Sequence, residues 1–174
     1  MTEQAAQHAF RPSPWRGALA GLAAGLVASA AMDLFQRAIA QLSNSGGDDD
    51  SEPATQKAAD RISEAVAGAP LDDASKPLGG DAVHYAFGAL LGAGYGVVAE
   101  IWPAATTGAG SAFGMVTASV FDEAAVPAAG LGPAPWQTPA SGHAYSYASH
   151  LVFAVATEAT RAFARSLLEP SGDR

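Results

Sequence analysis

The chain has no cysteine among its 174 residues. That absence excludes a disulfide framework, a thiolate metal site and a cysteine nucleophile. Charge is scarce as well: 15% of the residues are Asp, Glu, Lys or Arg, and the net charge is −8. Without a basic patch, nucleic acid is not an expected partner. A serine-hydrolase elbow, a phosphate loop and a dinucleotide fingerprint are all missing. So are the Glu-x-x-His pairs of a di-metal bundle. Two His and two Asp at one level could hold zinc, but no tight spacing such as His-x-x-x-His supports such a site. The chain therefore reads as non-enzymatic, with no catalytic residue, no metal and no cofactor.

What is plentiful is glycine, with 19 residues, and apolar side chains, at 49%. The mean hydropathy of +0.11 averages strongly apolar spans with one acidic segment. The central span is Val83 to Pro103, VHYAFGALLGAGYGVVAEIWP. From Ala82 to Ala99 no residue but His84 can carry charge, and those 18 residues would make ~27 Å of helix, near the ~30 Å of a bilayer's hydrocarbon. Gly88, Gly92 and Gly96 recur at every fourth position, with Glu100 next. In water three interior glycines would weaken a helix by about 1 kcal/mol each; in a membrane they let a second backbone approach.

The same device appears elsewhere. Gly17, Gly21, Gly25, Ser29 and Asp33 form one row, and Thr106, Gly110, Gly114, Ala118 and Asp122 another. Ser146, His150, Ala154 and Glu158 form a further one. Such rows are oblique ridges on a helix, suited to right-handed crossings. The drift along a ridge puts His84 and Glu100 at different depths and nearly opposite faces, so they belong to different sites.

Read in order, the chain predicts an all-α fold: a polytopic membrane bundle of four glycine-rich transmembrane helices. The tail 1–14 is expected to be disordered. Spans are predicted over 16–40, 81–102, 106–126 and 142–165, inside one domain covering 15–165, with a tail over 166–174. Trp15, Trp102 and Trp136 suit membrane interfaces. The first span has a rival, a signal peptide ending Ala28-Ser29-Ala30, but its apolar pattern continues through Leu34, Phe35, Ile39 and Leu42. The acidic loop 43–80 is expected to hold a solvated Asp48-Asp49-Asp50 turn and a short amphipathic helix. That helix opens at Pro53, carries Ala58, Ile62 and Val66 on one side and stops at Gly68. Pro70 to Gly80 reads as turn. Arginines 11, 16, 161 and 165 at one end place both termini on the cytoplasmic side.

Several segments together resemble the YagU-like family of small bacterial inner-membrane proteins, whose molecular function is unknown. They are PATQKAAD, VHYAFGALLGAGYGVVAE, TTGAG-x-x-FG, DEAAVPAAGLGP and HAYSYASHLVF followed by E-x-x-R. The resemblance runs from about Gly17 to Arg161. It implies a multi-pass inner-membrane protein, associated loosely with acid tolerance, and supplies no catalytic residues.

Antiparallel threading sorts the ionisable groups by depth. Asp33, His84, Asp122, Glu123 and His143 should lie at the outer level, and Glu100, Glu158 and Arg161 at the inner one. His150 lies one heptad beyond His143, deeper in the span, where it needs a partner from Tyr147, Ser146 or another helix. Intramembrane ionisable groups mark proton, ion or ligand routes. The bland reading is local pairing, Asp33 with Arg37 and Glu158 with Arg161. The functional expectation is proton or small-solute handling with a role in acid tolerance. The alternative is a structural or assembly protein whose glycine ridges mediate contacts. The bilayer is the expected partner, with a second copy of the chain as a candidate.

Overall fold

A computed structural model describes residues 12–43 and 52–168. Most of the N-terminal tail, the Asp48-Asp49-Asp50 turn and the C-terminal tail lie outside the described residues. Those described are mostly helical, and no strand occurs among them. The elements are α1 (Pro14–Leu42), α2 (Ala54–Ala67), α3 (Lys76–Ile101), α4 (Ser111–Thr117), a π-helical stretch (Ala118–Ala125), α5 (Val126–Ala128) and α6 (Ala140–Leu167). Short 3-10 turns fill Pro103–Thr106 and Pro135–Gln137.

α1 is the centre of the packing, set against both α3 and α6. Its inward stripe is built from the smallest side chains: Gly17, Ala20, Gly21, Ala24, Gly25 and Ala28 are all buried. Its outward side carries Leu19, Leu22, Leu26 and Val27, all exposed. The contact with α3 is antiparallel and backbone to backbone. A Cβ placed on Gly17 would strike the Gly96 carbonyl, one on Gly21 the Gly92 carbonyl, and one on Gly25 the Gly88 carbonyl. The reverse substitutions at Gly92 and Gly96 would strike Gly21 and Gly17. Approach this close is open only to residues without a side chain.

On its other side α3 is spaced by rings. Tyr95 stacks on Phe113 at 4.5 Å between centroids, and Phe87 meets Phe121 edge-on at 4.8 Å. α4 crosses α6 with Gly114 against the His150 carbonyl and the Ala154 methyl. Ala28, Met32 and Phe153 form the apolar centre, with Leu91 and Phe113 packed around them.

Several boundaries differ from those the sequence predicts. The third helix begins at Ser111 rather than Thr106, because Gly108, Ala109 and Gly110 all hold positive φ and break the run. Thr106 and Gly110 therefore do not share a helical ridge with Gly114. Asp122 and Glu123, the first charged residues after the third span's apolar run, do not end the helix; they sit inside its π-helical stretch, which continues into α5. Pro127 has no N–H, and its ring would strike the carbonyl four residues back in an α-helix; the wider turn ahead relieves this. α3 begins at Lys76, within the segment read as turn, since Pro77 is compatible with a first helical turn. α1 and α6 are each longer than expected at both ends.

α2 ends at Gly68 with φ 79°, but its buried side is not the apolar one. Ala59 and Gln56 rest on Gly79 and Gly80 of α3, while Ile62 and Val66 are 55% and 84% exposed. Glycines at 79 and 80 let α2 lie so close that a small residue fits there and a branched one does not.

Candidate functional site

Antiparallel packing brings the end of α1, the start of α3, the π-helical stretch and the start of α6 to one end of the bundle. Three acid–imidazole pairs form there, each joining two helices. His84 Nε2 lies 3.2 Å from Asp33 Oδ1, away from the hydrogen-bond direction, and the Tyr85 hydroxyl donates to Asp33 Oδ2 at 2.9 Å. Asp33 thus meets α3, although Arg37 has the spacing for a pair within α1. His143 Nδ1 lies 2.6 Å from Glu123 Oε1, and its Nε2 lies 3.1 Å from the Pro135 carbonyl. A ring protonated on both nitrogens satisfies both oxygens. His150 Nδ1 lies 3.0 Å from the Ser146 carbonyl and 3.4 Å from Asp122, which also accepts from the Ser146 hydroxyl.

Two of these pairs, Asp33 with His84 and Asp122 with His150, line one cavity of about 690 Å³. His143 and Glu123 are not among its lining residues. The floor is Ser29, Gly88 and Phe153; Phe87 and Phe121 wall it, and Pro53 together with Thr55 and Gln56 of α2 covers it. The π-helical stretch contributes Asp122 to it. α2 is held in place by Lys76, whose Nζ is 3.1 Å from Glu52 and 3.0 Å from Asp60. Arg61 donates from α2 to the carbonyl oxygens of Ala129 and Gly130.

At the opposite end lies a second, closed polar cluster. Glu100 is 1% exposed, accepts from Arg165 Nε at 2.5 Å and from the Ser13 backbone N–H at 2.7 Å. Arg161 grips Glu158 with two hydrogen bonds, at 2.8 and 2.7 Å, and Tyr95 donates to the same carboxylate at 2.9 Å. Two carboxylates and two guanidiniums balance each other, which is how buried charge is tolerated. Glu100 and Glu158 are thus engaged in pairing, away from the cavity. Arg165 has the role the sequence did not assign: it was legible only as a marker of the helix exit, since its partner is 65 residues away.

Among the described residues no group of three or more His, Cys, Asp or Glu side chains is placed to hold a metal ion. What the cavity offers instead is carboxylates, imidazoles and aromatic faces. Residues 51–159 match the family described as "Protein of unknown function (DUF1440)". No curated protein and no solved structure matches the chain.

Proposed function

Because the chain belongs to DUF1440, a family of proteins of unknown function, we propose its function from geometry: it is an integral membrane protein whose cleft takes up protons together with a small solute. The observation that carries this reading is the cavity joining the Asp33–His84 and Asp122–His150 pairs inside a bundle whose outer faces are apolar.

Two helices, Pro14–Leu42 and Lys76–Ile101, are long and apolar enough to cross a membrane. Their most apolar stretches are only 39% and 28% buried, unlike the core helices of a water-soluble protein. Exposed Met115, Val116 and Val120 on the third helical run and Val155 and Phe163 on α6 extend the apolar surface around the bundle. This supports four spans, and exposed Trp15, Trp102 and Trp136 suit the two interfaces. The YagU-like resemblance is compatible with the family and supports an inner-membrane location with a part in acid tolerance. The rival role, a scaffold binding partners through glycine ridges, is less well supported, because Gly17, Gly21, Gly25, Gly88, Gly92 and Gly96 are engaged within the chain.

The test is proton entry into liposomes containing the purified protein and an entrapped pH dye, after an external acid pulse. Entry should exceed that of empty liposomes and fall to their level in the Asp33→Asn, Asp122→Asn double variant. Wild-type protein that leaves entry unchanged, or a double variant as active as wild type, would overturn the proposal.

A further inference from the structure

The cavity is far larger than a proton route requires, and its contents discriminate among solutes. Asp33, Asp81 and Asp122 line it, with His84 and His150 as the imidazoles and neither Lys nor Arg among the lining residues. With neutral imidazoles the lining is therefore net negative, which opposes an anion. Rings of Phe87, Phe121 and Phe153 supply faces that attract cations as well as apolar groups. A volume of about 690 Å³ lies within the ~300–1,000 Å³ range of sites for small organic molecules.

An independent observation comes from the floor. Ser29 is 0% exposed, and its Oγ has no hydrogen-bond partner among the described residues. It lies over Gly88, so close that a methyl group on Gly88 would collide with it, and both residues line the cavity. Alanine would fit α1 equally well, as it does at Ala24 and Ala28. Buried hydroxyls without a partner are uncommon, because they forgo the hydrogen bonds water would give.

We propose that the cleft binds a small organic ammonium ion, with its charge at the aspartates, its apolar body against the phenylalanine rings and a polar group at Ser29. This deepens the reading of the cleft as a solute site and rests on it. A bare metal ion fits poorly, since among the described residues no three His, Cys, Asp or Glu side chains converge, and the walls are largely apolar.

4-Hydroxyphenethylammonium, whose phenol hydroxyl can reach Ser29, and its neutral counterpart 2-(4-hydroxyphenyl)ethanol form a matched pair of probes for calorimetric titration of the purified protein in detergent. The ammonium ion should bind saturably and about tenfold or more tighter than the alcohol, the range of a charge-assisted hydrogen bond. Asp33→Asn combined with Asp122→Asn should erase that preference. Ser29→Ala should weaken the ammonium ion about 2- to 10-fold while the melting temperature holds or rises, because the variant removes an unpaired hydroxyl. Equal affinities for the two probes, or no saturable binding by either, would overturn the proposal. If the double variant does not fold, Ser29→Ala decides alone, and unchanged ammonium affinity overturns it. Proton entry lost in the aspartate variant without ammonium binding would leave the proton reading standing and remove this one; ammonium binding without proton entry would do the reverse.

Discussion

Gly92 and Gly94 lie two positions apart on α3 and should respond to alanine with opposite signs. A Cβ on Gly92 would stand 2.8 Å from both the Cα and the N of Gly25, and closer still to the Gly21 carbonyl. Unstrained carbon contacts fall near ~3.5–4.0 Å, so the gap is short by roughly 1 Å. Every atom in the way is backbone of α1, and no side chain can turn aside. α1 and α3 must separate, and overpacking of this kind costs about 1–3 kcal/mol. For a chain of this size each kcal/mol shifts melting by about 2–4 °C, so Gly92→Ala should lower the midpoint by about 2–12 °C. A Cβ on Gly94 meets nothing within 4 Å. There alanine removes backbone freedom from the unfolded chain and should raise stability by up to about 1 kcal/mol. Both variants are read by loss of helical circular dichroism on heating in the same detergent. Gly92→Ala melting at or above Gly94→Ala would refute the close-packed glycine interface.

The buried pair at the other end makes a second prediction: Glu100→Gln or Arg165→Met alone should cost about 3–5 kcal/mol, by leaving one charge unpaired. The double variant should recover most of that loss in a thermal double-mutant cycle, and strict additivity would contradict the pairing. Gly110 caps α4 with φ 74°, so Gly110→Ala should cost about 1–2 kcal/mol, the penalty for a left-handed residue with a side chain. An unchanged melting midpoint would argue against that turn. Finally, the full chain should stay with the membrane pellet through an alkaline carbonate wash, and recovery in the supernatant would remove the membrane assignment.

Much of this was legible in the residues. Periodicity gave the long helices, because apolar and small side chains repeat with the helical turn whatever the neighbours are. Glycine at Gly88, Gly92 and Gly96, where alanine would serve a lone helix better, signalled a close approach by another backbone. Glu158 and Arg161 could be paired by their spacing on one turn. The start of the third helix was not legible, since three successive positive φ angles include one at Ala109, a residue whose preference is helical. Nor was the buried side of α2: Gln56 and Ala59 face Gly80 and Gly79 of α3, while its apolar Ile62 and Val66 are exposed.

Pairing across helices needed the tertiary structure. Sequence placed Asp33, His84, Asp122 and His143 at one level, because antiparallel helices of similar length must bring ends and beginnings together. It could not say which acid meets which imidazole, since rotation about each helix axis and the π-helical stretch at Asp122 set the directions of the side chains. Packing assigned His84 to Asp33, His143 to Glu123 and His150 to Asp122, and left Ser29 buried without a partner beside a cavity. The sequence alone determined which stretches are helical and where glycine demands contact, because those depend on local repeats. Only the tertiary structure decided which charges share a cavity and which are sealed in pairs, because that depends on how rigid helices are turned against one another.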